Sequence, residues 1–252
     1  LDGVVDGVIE NPMACRFDFA SLTCKGADAA DCLTPGQVSS AKAMTAPIVD
    51  PANGRVLYSG HLWYGSELGW GAIGGTAAPG EALAATKGIV MQDANWDYRS
   101  MKMSADVDRA AKEDLGAMYA GDPNLRRFFD RGGKLLMYHG WADPLVTPQN
   151  SIMYYDDVLK TVGRDKAASS IALFMVPGMG HCQGGPGPDT FDKMTIIDSW
   201  VQTGKPPVSI PASHKTNGVV DRTRPLCAYP QVAVYKGKGS TDDAANFECK
   251  AP

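Results

Sequence analysis

Gly133-Lys134-Leu135-Leu136-Met137-Tyr138-His139-Gly140-Trp141-Ala142-Asp143-Pro144 is the stretch whose reading decides the fold. Lys134 to His139 is a short, mostly apolar run, entered through Arg131-Gly132-Gly133 and left at a turn at Gly140, which is the pattern of a buried strand. Downstream, Pro148 to Val162 sets Ile152, Tyr155, Val158, Leu159 and Val162 at helical spacing, with Gly163 as a stop. Ile171 to Val176 is apolar at every position, as a strand covered on both faces requires, and Pro177-Gly178-Met179-Gly180 ends it. Asp189 to Gln202 then places Met194, Ile197, Trp200 and Val201 on one helical face before Gly204-Lys205-Pro206-Pro207. Strand, helix, strand, helix in that order predicts an α/β protein with a mostly parallel sheet.

Upstream the composition changes. Residues 1 to about 125 are rich in Gly, Ala, Asp and Pro with weak periodicity, as in Gly69-Trp70-Gly71-Ala72-Ile73-Gly74-Gly75 and Ala77-Ala78-Pro79-Gly80, and are expected to be loop-rich. One helix is predicted there, Asp106 to Met118, with Val107, Ala110, Ala111 and Leu115 sharing a face and Ser104 as its cap. The shift near Asp122-Pro123 divides the chain into a lid or insertion, 1–125, and a core portion, 126–252.

The 252 residues, 44% hydrophobic and 21% charged, can bury one sizeable core and exclude a disordered or collagen-like polymer. Lys plus Arg number 24 against 28 Asp plus Glu, and a net charge of −4 gives no electrostatic reason to expect nucleic acid or anionic lipid as partner. No apolar stretch approaches the roughly 20 residues of a membrane span, and Leu1-Asp2-Gly3-Val4-Val5-Asp6 lacks the basic start and apolar centre of a signal peptide. A soluble protein is expected, with any export signal outside these residues.

Six cysteines, at 15, 24, 32, 182, 227 and 249, show no Cys-x-x-Cys spacing and so argue against zinc or a dithiol redox pair. Cys24 and Cys32 bracket a short polar loop, and Cys227 and Cys249 bracket a Gly-rich segment, so each pair reads as a self-contained bridge. Cys15 and Cys182 are left to pair with each other, to remain buried thiols, or to bond to something outside the chain. Disulfides imply an oxidising compartment, so a secreted or periplasmic protein is expected.

In a wound parallel sheet, reactive side chains gather on the loops after strands, and those loops carry Asp143 and His181, 38 residues and one crossover apart. An acid followed by a histidine is the order of the Ser…Asp…His triad, in which the acid orients the imidazole and the imidazole deprotonates the serine. Such a serine must precede Asp143. No Gly-x-Ser-x-Gly elbow exists upstream, and Gly65-Ser66-Glu67-Leu68-Gly69 lacks the intervening residue, so the nucleophile is expected outside this chain. His139, on the strand itself, reads as a hydrogen-bonded structural histidine, and neither it, His61 nor His214 is assigned a role.

Gly133 to Leu145, Phe174-Met175-Val176-Pro177-Gly178-Met179-Gly180-His181-Cys182, and Arg222-Thr223-Arg224-Pro225-Leu226-Cys227-Ala228-Tyr229-Pro230 closely resemble the tannase and feruloyl esterase family of serine esterases, as does the Leu1 to Pro12 segment. The resemblance implies the C-terminal part of an α/β-hydrolase with a loop-rich, calcium-binding lid domain. It implies Asp143 as the triad acid, His181 as the general base, and Cys182 bridged to a cysteine just before the off-chain serine. It pairs Cys15 with a cysteine ahead of Leu1, so an N-terminal half of the same enzyme, removed or on a separate chain, is the expected partner.

Asp2-Gly3-Val4-Val5-Asp6-Gly7-Val8-Ile9 spaces carboxylates four apart, a weak pattern for wrapping a hard cation. The resemblance implies structural Ca2+ held by the side chains of Asp2 and Asp6 and the carbonyls of Val4 and Val8, with a further Asp ahead of Leu1. Trp63, Tyr64, Trp70, Trp96 and Tyr98 suit flat aromatic acyl groups or ordinary packing, and Val146 is a candidate to face the site. The expected function is hydrolysis of esters of aromatic acids of gallate, ferulate, hydroxycinnamate or terephthalate type through an acyl-enzyme, with no organic cofactor. The competing readings are another α/β-hydrolase, of peptidase or dienelactone-hydrolase type, and a non-catalytic calcium-dependent binding module.

Overall fold

The computed structural model describes residues 2–75, 78, 80–114 and 119–252. The N-terminal region is loop-rich around short elements. Helix α1, Pro35–Thr45, starts where Thr34 Oγ1 accepts from the Gln37 amide and Gln37 Oε1 accepts from the Thr34 amide, a reciprocal cap with Pro35 in the first turn. The sequence reading assigned no helix here, although Thr34-Pro35-Gly36-Gln37 is the cap's signature. α1 buries Val38 and Ala41 against Phe19, with Tyr64 and Trp70 packed on them. Strands β1, Ile48–Val49, and β2, Val56–Tyr58, form an antiparallel pair, and α2, Gly80–Ala85, runs into a π-helical turn over Thr86–Met91.

Helix α3 spans Met103–Asp114, so it starts three residues before the expected Asp106. Ser104 lies inside it and donates to the carboxylate of Asp50, which removes it as the cap. The end of that expected helix, with Leu115, lies outside the described residues.

The second region follows with α4, Arg126–Asp130; β3, Leu135–Gly140; α5, Gln149–Val162; α6, Arg164–Ala168; β4, Ile171–Val176; α7, Lys193–Thr203; β5, Ser209–Thr216; β6, Val219–Cys227; β7, Val232–Tyr235; and β8, Phe247–Lys250. β3 and β4 pair in parallel, with Gly140 opposite Val176 at their C-terminal ends. α7 begins at Lys193, because Asp189 and Thr190 spend their backbone bonds on Ser213 and Asp192 caps the helix by accepting from the Thr195 amide. Its core-facing stripe is Ile196, Ile197 and Trp200; Met194 and Val201, expected on that face, are 76% and 59% exposed on the stripe beside it.

The expectation of a mostly parallel sheet is corrected by the rest of the chain. Among the described residues β3–β4 is the one parallel pair, and β1–β2, β5–β6 and β7–β8 are antiparallel. The β5–β6 hairpin closes on Asn217-Gly218, both at positive φ, the two-residue turn whose twist matches that of the strands it joins.

Every residue of β4 is buried. Ala172, Phe174 and Val176 face Trp200, Ile210 and Leu226, while Leu173 and Met175 face Trp141 and Ile152. Phe174, Val176, Leu173 and Met175 each contribute about 1.5–3 kcal/mol by leaving water. β4 has β3 on one edge and Ala228–Tyr229 on the other, where the Tyr229 amide donates to the Leu173 carbonyl at 2.8 Å. β3 has no strand on its second edge among the described residues, and Leu135 to His139 are only half-buried.

Cys24–Cys32 and Cys227–Cys249 are disulfide-bonded. Cys15 is a buried thiol and Cys182 an exposed one. Among the described residues no helix is long and apolar enough to cross a membrane.

Candidate active site

The parallel register brings the ends of β3 and β4 level, and the loops that follow are stitched together by backbone bonds. The Trp141 amide donates to the Val176 carbonyl at 2.9 Å and the Ala142 amide to the Met179 carbonyl at 3.0 Å. Gly140 makes this approach possible: a Cβ there would collide with the Met179 carbonyl and lie 2.6 Å from that of Gly180.

Asp143 and His181 meet across that seam. His181 Nδ1 lies 2.8 Å from Asp143 Oδ2. A carboxylate only accepts, so Nδ1 carries the proton and Nε2 is left as the ring's basic nitrogen. No protein group among the described residues bonds Nε2, and the side chain is 46% exposed. Asp143 is the opposite, 2% exposed, with Oδ1 accepting from the amides of Leu145 at 2.8 Å and Val146 at 3.0 Å. Burial pushes its carboxyl up, but the bonds from His139, the Val146 amide, His181 and the Leu145 amide outweigh that and hold it well below the usual carboxylate range. The pair is therefore an ionised acid behind an open imidazole, which is what proton abstraction from a hydroxyl requires.

His139, to which the sequence reading gave no role, also touches the acid: its Nε2 is 3.2 Å from Asp143 Oδ2 and 3.1 Å from the Val146 carbonyl, and its Nδ1 is 2.7 Å from Ser151 Oγ. The available signal was the four-residue spacing from a strand residue to the acid of the next turn. Val146 lies beside the site, bonded through both its amide and its carbonyl, and the residue is 39% exposed. Cys182 follows His181 directly and holds a positive φ of 66°.

The N-terminal loop bonds neither residue of this pair among the described residues, although its Val8 lies against Gly178 in the loop before His181. Asp2 accepts from the amides of Val4 and Glu10, and Asp6 from the amide of Val8. Gly3 and Gly7 take positive φ. The fully buried Arg224 donates to Asp6 Oδ2 at 2.6 Å, and its Nε lies 3.0 Å from Glu10 Oε1 as an ion contact without hydrogen-bond geometry. Burial raises the Glu10 carboxyl to about 8, against the pull of Arg224 and with the push of Asp6 and Asp2. The side-chain donors are all oxygen and crowd negative charge, as a hard cation favours, yet one oxygen of Asp6 is committed to Arg224 and no three ligating side chains converge among the described residues.

The aromatic residues of the first region are largely packing. Trp63 joins the cluster of Trp141, Ile152, Leu173 and Met175, whereas Tyr64 and Trp70 cover Phe19. Tyr98 lies under the Arg99 guanidinium at 4.7 Å, and Trp96 is half-buried.

The sequence model of the family described as "Tannase and feruloyl esterase" matches residues 1–250. The chain is 34% identical over 303 aligned positions to the mono(2-hydroxyethyl) terephthalate hydrolase of Piscinibacter sakaiensis, covering 100% of this chain and 49% of that protein. It is 30% identical over 274 positions to feruloyl esterase B of Aspergillus niger, covering 99% and 51%. The crystal structure of feruloyl esterase B from Aspergillus oryzae superposes with a TM-score of 0.90 at 26% identity, over 99% of this chain and 53% of that one. The chain thus spans about half the length of the curated relatives it matches.

Proposed function

The chain belongs to the tannase and feruloyl esterase family, an α/β-hydrolase family, and from that premise we propose that it supplies the acid and base of a serine carboxylesterase acting on esters of aromatic acids. One observation carries the reading: His181 donates through Nδ1 to the buried Asp143 and leaves Nε2 open. The attacking serine lies on polypeptide outside these residues. Nε2 takes its hydroxyl proton as the oxygen bonds to the ester carbonyl carbon, and backbone amides hold the resulting oxyanion. The carbonyl re-forms, the alcohol leaves with the proton from Nε2, and a water repeats the sequence to release the acid and restore the serine. Asp143 keeps its charge throughout and stabilises the imidazolium that forms between steps.

Residues 1–125 act as the lid and 126–252 as part of the core in this reading. The open edge of β3 supports a partner there, a strand of the N-terminal half of the same enzyme, because an apolar strand with one bare edge is otherwise an aggregation site. Structural Ca2+ would be held by the Asp2 and Asp6 side chains and the Val4 and Val8 carbonyls, together with oxygens from outside these residues, and would neutralise the crowded carboxylates. Two disulfides favour a secreted or periplasmic location.

The test is turnover. The full-length protein should hydrolyse feruloyl, galloyl or terephthaloyl esters and leave peptides intact, and the 252-residue chain by itself should hydrolyse neither. Peptide cleavage by the former, or ester turnover by the pure latter, would overturn the assignment.

A further inference from the structure

The triad acid has a second histidine on it. His139 Nε2 faces two groups that can only accept, Asp143 Oδ2 at 3.2 Å and the Val146 carbonyl at 3.1 Å, so Nε2 carries a proton shared between them. Its Nδ1, in the neutral ring, is a lone pair that needs a donor, and Ser151 Oγ stands 2.7 Å away to provide one. The bonds close a ring. The Val146 amide holds Asp143 Oδ1, the Val146 carbonyl accepts from His139, and His139 returns to Asp143 Oδ2. Both carboxylate oxygens are thereby fixed, and with them the plane of the carboxylate and the direction of the bond from Oδ2 to His181.

We propose that His139, its tautomer set by the two acceptors on Nε2 and its ring held at Nδ1 by Ser151, is a positioning residue for the base: it restricts the rotation of the Asp143 carboxylate and so aims the imidazole of His181. The inference rests on the esterase reading for its kinetic consequence, but not for its geometry. His139 is on β3 and Ser151 is in the first turn of α5, two rigid elements, so the lock is built into the scaffold beneath the loops. Without His139, Oδ2 keeps His181 as its one donor, and the carboxylate, still held at Oδ1 by the Leu145 and Val146 amides, is less tightly fixed about Cβ–Cγ. His139 touches no reacting atom, so the loss falls on kcat and not on KM.

The experiment uses the full-length enzyme and compares His139→Phe, which fills the space without a donor, with His139→Gln, whose amide can donate to the same acceptors. Proton NMR follows the low-field Nδ1–H signal of His181 in each, and kinetics follow hydrolysis of an aromatic ester. His139→Phe is expected to lower kcat about tenfold at unchanged KM and to broaden or move the Nδ1–H signal, with His139→Gln recovering both to within about threefold. Ser151→Ala keeps the fold if His139→Phe does not, and should lower kcat about threefold while the nitrogen-15 shift of His139 Nδ1 moves as its lone pair loses its donor. An unchanged Nδ1–H signal and unchanged kcat in His139→Phe, or in Ser151→Ala where His139→Phe does not fold, would overturn the proposal. If the parent enzyme hydrolyses no ester and the Nδ1–H signal still distinguishes Phe from Gln, the positioning role stands and the esterase reading falls.

Discussion

The loops after β3 and β4 are bonded to each other and yet are finished to different degrees. Asp143 is 2% exposed and has four donors on two oxygens, whereas the His181 side chain is 46% exposed with one bonded nitrogen and one open. The strands repeat the contrast: β4 is apolar and buried along its whole length, and β3, mostly apolar, is half-buried over Leu135 to His139 with no strand on its second edge among the described residues. The difference separates what the chain completes internally, an oriented carboxylate, from what it presents outward, an imidazole nitrogen without a protein partner among the described residues.

Removing the presented group should have the largest effect. His181→Ala in the full-length enzyme should cut kcat about ten-thousand-fold with the fold intact, checked by single-substrate kinetics and circular dichroism. The neighbouring thiol sharpens the same side. If Cys182 is bridged to a cysteine before the nucleophile, Cys182→Ser should cost about 2–4 kcal/mol in urea unfolding, and an unchanged midpoint would show that it is free. Forcing the seam apart tests whether the loops depend on each other. Gly140→Ala places a methyl against the Met179 carbonyl and should cost about 1–3 kcal/mol while lowering kcat more than it raises KM.

The smallest effect concerns acid. Asp143 has a folded-state carboxyl held below its unfolded value of about 3.9, so its contribution to stability is present above that pH and lost as pH falls through the folded value. The gap in urea midpoint between the parent and Asp143→Asn should be constant above about pH 5 and narrow below about pH 4.

The site was legible in the sequence to the extent that strand periodicity and loop position carry it. The continuous apolar run of Ile171–Val176 and the turns after both strands place Asp143 and His181 at one edge, because parallel register leaves little choice. His139 was not legible as a partner of the acid, since its ring reaches Asp143 through the turn that follows β3, in which the Asp143 amide donates to the Gly140 carbonyl at 3.3 Å. The antiparallel hairpin β5–β6 was passed over although Asn217-Gly218 marks it, because Pro211 and Pro225 interrupt the alternation that a strand search follows. α1 was missed for a similar reason: its Gly, Ser and Lys positions dilute the apolar face to Val38 and Ala41, and the cap at Thr34 was the stronger signal. In α7 the error was one of face, with Met194 and Val201 assigned to a core that Ile196 and Trp200 occupy.

The central claim is that an ionised Asp143 holds His181 in the tautomer that leaves Nε2 basic. Asp143→Asn, nearly isosteric, tests it most directly when full-length parent and variant are compared on one aromatic ester at neutral pH. The account predicts kcat lower by about a thousandfold or more at nearly unchanged KM, with the His181 Nδ1–H signal lost from the low-field region. A variant retaining kcat within about tenfold of the parent would contradict it.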